Sequence, residues 1–215
     1  MSSVANGGNG SEGRRAPPTA YVVDDDESIR TLWHWLLESN GIAVQTFETA
    51  KEFIDVYRHE GPACLVLDLR LPGMSGLELQ TYLREKEIAI PIVFVTGHGD
   101  VPSAVNAIKG GAVDFVEKPF SYKAVVQIIR RALERDAQSM EERAQRSEYE
   151  ERVATLTDRE REVMRRVIEG KLNKVIADEL DISVKTVEFH RARVMEKMGV
   201  SSVAALVQLR MQYPE

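Results

Sequence analysis

Residues 21–28 read YVVDDDES: three apolar side chains, Tyr21, Val22 and Val23, end abruptly in Asp24, Asp25 and Asp26. Like charges crowded together repel, and a carboxylate beside a low-dielectric core resists ionising. The pattern has a purpose if the apolar run is a strand of a parallel sheet. In open α/β sheets, ligands bind outside the carboxyl ends of the strands. The stretch therefore directs attention to how the chain's other short apolar runs end.

Four more runs follow: Ala43–Phe47, Cys64–Leu67, Ile92–Val95 and Asp114–Val116. Between the first two lie Ile29, Leu32, Trp33, Leu36 and Leu37, spaced so that all share one helix face. Asn40-Gly41 reads as that helix's stop. Later helical patterns cover Phe53–Tyr57, Leu77–Leu83, Val105–Ile108 and Tyr122–Leu133. Alternating strands and helices imply a parallel sheet covered on both faces, an α/β fold.

The strand ends then line up. Asp24 and Asp25 follow the first run, Asp68 the third, Thr96 the fourth and Lys118 the fifth. Three carboxylates, one hydroxyl and one ammonium converge on one sheet edge. Such a carboxylate cluster is tolerable if it holds a hard divalent cation, which takes oxygen ligands; Mg²⁺ fits, with Mn²⁺ as an alternative. Lys118 and Thr96 suit two phosphoryl oxygens, and Asp68 is free to attack phosphorus as a nucleophile. In-line transfer of this kind needs mostly positioning and charge neutralisation. Asp26 reads as the N-cap of the helix beginning at Glu27.

Composition sets limits. Of 215 residues, 43% are hydrophobic and 29% charged, enough apolar surface for a core. The single cysteine, Cys64, has no intrachain partner and reads as a buried, reduced thiol, which predicts a cytoplasmic protein. No apolar stretch approaches the ~20 residues that span a bilayer, so no membrane partner is expected. Residues 1–18, rich in Gly, Ser, Asn and Pro, read as a disordered tail without the apolar stretch of a signal peptide. The net charge of −6 is unevenly shared. Residues 153–215 carry 11 Lys and Arg against 10 Asp and Glu; residues 1–152 carry 17 against 24. The two ends are thus suited to different partners.

From residue 135 to 152 the chain is a charged linker, compatible with a solvated helix. Beyond it the pattern is helical only. Thr157 and Glu160 have capping-box spacing, and Gly170 closes that helix. A short helix over Asn173–Leu180, a tight connection at Asp181-Ile182 and a helix over Val184–Met198 capped by Ser183 follow. A last helix starts at Ser201 or Ser202. Helix, tight turn, helix is the arrangement of DNA-binding modules that place the second helix in the major groove. On that helix Lys185, Thr186, Glu188, Phe189, Arg191, Ala192 and Arg193 are the candidate contacts. Arg reads guanine edges, Glu accepts from cytosine and an exposed Phe touches thymine methyls. Lys171, Lys174 and Lys197 suit phosphates, which position without specifying.

The strings VVDDDES, LVLDLRLPGMSGLEL, VFVTGHGD and GAVDFVEKPF resemble the receiver domain of two-component response regulators, over residues 19–134. The stretch VTGHGDVPSAVNAIKGGAVDFVEKPF is similar to the FixJ-like branch of the FixJ/NarL family. LTDREREVMRRVIEGKLNKVIADELDISVKTVEFHRARVMEKMGVSS, within residues 153–215, resembles that family's LuxR-type helix-turn-helix domain. The resemblance implies a flavodoxin-like five-stranded sheet of order 2-1-3-4-5 followed by an all-α DNA-binding domain. It implies Asp68 as phosphoacceptor, with Asp25, Asp68, the backbone carbonyl of Arg70 and a nearby or water-mediated Asp24 around Mg²⁺. It implies a switch in which Thr96 moves toward the phosphoryl group and Phe115 turns inward. The family often has Tyr or His at Phe115, so here the switch works by packing alone. Leu71 stands where Met often precedes Pro72.

Implied partners are a sensor histidine kinase, double-stranded DNA, a second copy of the chain after phosphorylation, and RNA polymerase. The chemistry is self-phosphorylation and dephosphorylation only, not enzymatic turnover of a separate substrate. The competing reading is a phosphorelay intermediate or adaptor whose helical domain binds protein. Salt-sensitive DNA binding separates the two.

Overall fold

A computed structural model describes residues 16–97 and 99–214. Most of the expected N-terminal tail, residues 1–15, lies outside the described residues. The chain divides into two compact units, the first reaching Met140 and the second beginning at Glu141.

The first unit alternates strand and helix throughout: β1 Thr19–Val23, α1 Glu27–Glu38, β2 Ala43–Phe47, α2 Ala50–Val56, β3 Ala63–Leu67, α3 Gly76–Glu85, β4 Ile92–Thr96, α4 Val101–Lys109 and β5 Asp114–Glu117. All strands are parallel, in the order β2-β1-β3-β4-β5. The order reverses between β1 and β3, so the switch point falls where Asp24 and Asp68 emerge. The register pairs Val23 with Leu67, which sets those two aspartates side by side.

β3 and β4 are buried on both faces, as expected of central strands covered by helices. One face packs Leu65, Leu67, Phe94 and Leu79 with the ring cluster of Phe47, Phe53 and Tyr57. The other packs Val22, Val66, Val93 and Val95 against Trp33, Leu37 and Ile129. Each fully buried side chain of this size contributes about 1.5–3 kcal/mol.

Helix starts follow their caps. Thr49 accepts from Glu52 N–H, Asp100 from Ser103 N–H, and Ser75 forms a capping box with Glu78. Hence α2 and α4 begin three and four residues before the apolar periodicity does. The next helix, α5, runs unbroken over Tyr122–Ala154, through the charged stretch, and the boundary between the two units falls within it. Asp136, 3% exposed, fastens its first half. Its Oδ2 accepts from Ala63 N–H at 2.8 Å and pairs with His59 Nε2 at 2.9 Å.

The second unit comprises the end of α5 with α6 Asp158–Ile168, α7 Asn173–Leu180, α8 Val184–Met198 and α9 Val203–Gln212. Its core joins Val163, Val167, Ile176, Val187, Val194, Met198 and Leu206. Asp181, in the left-handed region at φ 51°, makes the turn between α7 and α8. Among the described residues no helix is long and apolar enough to cross a membrane.

One buried charge holds α6 to α8. The Glu160 carboxylate closes the α6 capping box and accepts from Lys197 Nζ at 2.7 Å. That lysine bond, with the Thr157 N–H, holds the Glu160 carboxyl below the usual glutamate range. A carboxyl whose pKa falls on folding adds stability above its unfolded value and loses it as pH drops through the folded one. Glu160→Gln is therefore expected to remove part of the acid sensitivity of the α6 and α8 amides in hydrogen exchange of the full chain. Glu160→Ala is expected to cost about 1–3 kcal/mol there at neutral pH. Equal protection in wild type and both variants across the acid range would show that the pair contributes nothing.

Candidate phosphoacceptor site and nucleic-acid interface

Four of the five strand-end residues of the first unit meet, and the fifth, Thr96, is tied to them through its main chain. Asp24 is buried directly after β1, Asp25 beside it is exposed, and Asp68 follows β3 half-buried. One carboxylate oxygen from each lies within 4.8 Å of those from the other two. Lys118 follows β5 and reaches past the ends of β4 and β3: its Nζ is 3.0 Å from Asp24 Oδ2 and 3.9 Å from Asp68 Oδ2. Thr96, 1% exposed, ends β4, and its carbonyl accepts from Lys118 N–H at 2.8 Å.

Backbone bonds fix the acids. Asp68 N–H donates to the Val23 carbonyl at 3.0 Å, and Asp24 Oδ1 accepts from Asp26 N–H at 3.0 Å. Arg30 Nη1 donates to the Asp24 carbonyl at 2.8 Å. Arg70 N–H lies 3.5 Å from Asp68 Oδ1, so its backbone borders the cluster. Burial pushes the Asp24 carboxyl above the usual aspartate range; the Asp26 N–H and Lys118 pull it back, and Asp68 opposes them. Asp26 stands apart: it caps α1 by accepting from Ser28 and Ile29 N–H, and those bonds hold its carboxyl low.

The donors fit a magnesium ion. All are hard oxygens, three carboxylates face one point, and a single ammonium leaves the group net negative. The exposed Asp25 leaves a solvent side for the waters Mg²⁺ retains.

Two glycines that the sequence pattern did not single out shape this edge. Gly76 opens α3, where a Cβ would collide with the Asp68 carbonyl oxygen and come within 3.0 Å of the Phe94 ring. Glycine is a poor helix residue, so its place one step after the Ser75 cap was the available signal. A Cβ at Gly99 would sit 2.9 Å from the ring of Phe115, which is half-buried and tilted against Phe94 at 6.1 Å.

In the second unit α8 presents an exposed stripe. Lys185, Glu188, Phe189, Ala192 and Glu196 recur at helical spacing and all face solvent, Phe189 at 58% exposure. Arg193 flanks the stripe, 5.6 Å over the Phe189 ring, and pairs with Glu196 at 2.9 Å. Thr186 serves the cap, its N–H donating to Ser183 Oγ at 3.0 Å. Lys174 is exposed on α7. Lys197 is engaged by Glu160, and Lys171 by Glu169 and Glu179. Arg191 does not share the stripe: it turns toward α7, donating to Asn173 Oδ1 at 2.6 Å.

A doubly wound sheet with an acidic switch-point edge, joined to a helix-turn-helix unit, defines a receiver coupled to a DNA-binding module. Comparison with known proteins agrees over the whole architecture. Residues 20–130 match the response regulator receiver domain, and residues 154–210 match the luxR family of bacterial regulatory proteins. The chain is 42% identical to the transcriptional regulatory protein FixJ of Bradyrhizobium diazoefficiens, over 89% of this chain and 94% of that one. It is 43% identical to the response regulator TodT of Pseudomonas putida, over 88% and 83%. The solved structure of the response regulator StyR superposes with a TM-score of 0.87 at 44% identity, over 92% of this chain and all of that one. The chain belongs to the response-regulator family with a LuxR-type DNA-binding domain, and it is a transcriptional regulator of a two-component system.

Gly76→Ala is expected to lower the stability of the first unit by about 1–3 kcal/mol, the usual cost of forcing atoms into a filled site. Urea unfolding of the full chain, followed by tryptophan fluorescence, reads it, because Trp33 is buried in this unit. An unchanged midpoint would mean that the backbone has room there.

Proposed function

We propose that Asp68 is the phosphoacceptor and that a sensor histidine kinase is its donor. The observation that carries this reading is the meeting of Asp24, Asp25 and Asp68 within 4.8 Å, with Lys118 reaching both Asp24 and Asp68. Asp68 is the most accessible oxygen nucleophile that Lys118 also reaches, since Asp24 is buried beneath it. A carboxylate oxygen of Asp68 forms the new bond to phosphorus as the bond from phosphorus to the kinase's histidine nitrogen breaks, and that nitrogen leaves with the electron pair. Asp24, Asp25, Asp68 and the Arg70 carbonyl would hold Mg²⁺, which when bound supplies positive charge against the crowded oxygens. Lys118 neutralises a further phosphoryl oxygen, and the Thr96 hydroxyl donates to another. Phe115, bordered by Phe94 and Gly99, then repacks inward without any polar group of its own.

Phosphorylation shifts a pre-existing equilibrium toward a state that dimerises and binds DNA, because the acyl phosphate interacts differently with the two states. In the second unit Lys185, Glu188, Phe189, Ala192 and Arg193 face the major groove, and Lys174 meets a backbone phosphate. The protein works in the cytoplasm, and contact with RNA polymerase converts binding into regulation, most simply activation.

Asp68→Asn is expected to abolish phosphoryl uptake from acetyl phosphate in the presence of Mg²⁺, and a chelator is expected to stop uptake by wild type. Phosphate-affinity electrophoresis reads both; uptake by the variant at the wild-type level would sink the assignment of Asp68. Fluorescence anisotropy with a random duplex pool, with and without beryllofluoride plus Mg²⁺, tests the coupling. Affinity or selectivity is expected to rise with the mimic. Identical binding in both states would mean that the receiver controls a step other than DNA binding.

A further inference from the structure

Arg191 differs from the other cations of the helix-turn-helix in two ways. It lies four residues after Val187, three before Val194 and seven before Met198, all of them buried, so it stands on the core-side row of α8. It is also oriented without being neutralised. Its Nη1 donates to Asn173 Oδ1 at 2.6 Å, and Asn173, the first residue of α7, carries no charge.

The neighbouring cations are cancelled by carboxylates: Arg193 by Glu196, Lys197 by Glu160, Lys171 by Glu169 and Glu179, and Arg166 by Glu179. Among the described residues, no carboxylate forms an ion pair with Arg191, Lys174 or Lys185. Arg191 is half-exposed and opens, with Leu172 and Asn173, onto a cleft of about 550 Å³. A tie between two helices has no need of a full charge. A planar guanidinium that stays charged, is aimed by an amide and faces open space matches a phosphate oxygen, to which its fork of donors is suited. Lys174, adjacent to Asn173, adds a second unneutralised cation on the same turn of α7.

We infer that Arg191, held in place by Asn173, grips the DNA backbone and does not read base edges. Sequence reading falls to the exposed stripe of Lys185, Glu188, Phe189 and Ala192. Asn173 is a positioning residue, acting through Arg191. The assignment rests on α8 being the recognition helix, as proposed above.

The test uses the full chain with beryllofluoride and Mg²⁺, a randomised duplex pool for selection and sequencing, and anisotropy across a salt series. Arg191→Ala is expected to weaken binding to every duplex by a common factor and to leave the enriched sequences unchanged. The slope of log affinity against log salt is expected to fall by about 0.9, the loss of one neutralised phosphate. Asn173→Asp gives Arg191 a carboxylate partner, which preserves or strengthens the tie between α7 and α8. It is expected to reproduce the slope loss with undiminished thermal stability. Phe189→Ala is expected to change the enriched sequences instead. Relaxed preference at a base pair in Arg191→Ala, with the slope unchanged, would make Arg191 a reader and overturn the inference. Wild-type binding by Asn173→Asp would reduce the contact to a structural tie and overturn it also. Unaltered selection by Phe189→Ala, or no duplex binding by wild type, would remove α8 as the recognition helix and this inference with it.

Discussion

Everything at the acidic edge depends on how one ammonium is carried past the ends of two strands. Asp24 and Asp68 emerge side by side because β1 and β3 are neighbours in register, and their repulsion is built into the topology. Lys118 answers from β5, two strands from β3, and its main chain is pinned to the end of β4 through the Thr96 carbonyl. The 3.0 Å contact with Asp24 therefore joins the contribution of β5 to that of β1, with the ends of β3 and β4 between them. Asp24, buried and already partnered, is confined to a supporting role. Asp68, farther from Lys118 and more exposed, keeps an oxygen available for chemistry.

The same constraint explains why this edge was legible in the sequence. A parallel strand buried on both faces leaves a continuous apolar run, so the residue that ends it stands out. Asp24, Asp68 and Thr96 each end such a run, Lys118 follows the partly buried edge strand β5, and the order of runs and helices gives the sheet. Helix starts were less legible, because apolar spacing marks only the segment that touches the core. The first turns of α2 and α4 are set by Thr49 and Asp100 through single side-chain bonds, and they carry few buried residues. The unbroken course of α5 through its charged stretch has a similar reason. Its Glu and Arg residues pair along the helix, Arg146 with Glu150 and Arg152 with Glu148, and such pairs leave no apolar period.

Contacts between elements were illegible in principle. Nothing in the string GLEL demands that Gly76 lie against the Asp68 carbonyl, and nothing in the spacing of Asp136 and His59 announces their pairing across the first unit. Arg191 makes the same point within α8. Its residue type and position on a solvated helix suggested a reader, whereas helical phase places it on the row of Val187 and Val194, where it meets Asn173. Phase was available from the sequence; the partner that fixes the side chain was not.

Charge accounting ties the second unit to its function. A net of +1 over residues 153–215 looks too small for a DNA-binding domain. Net charge, however, weighs a neutralised cation and an unneutralised one equally. Several of the acids here are spent on cations of the same unit: Glu160, buried, fastens α6 to α8, Glu179 gathers Arg166 and Lys171, and on the surface Glu196 takes Arg193. Their effect on an approaching polyanion is local and already offset. Among the described residues, what remains without an ion pair on α7 and α8 is three cations, Lys174, Lys185 and Arg191, against two acids, Asp178 and Glu188, so the unpaired charge on the two helices of the DNA-binding motif is still positive. Binding to a polyelectrolyte follows the number of phosphates neutralised rather than the protein's overall charge. A nearly neutral domain can therefore bind DNA, provided enough cations of the motif are left without a carboxylate partner.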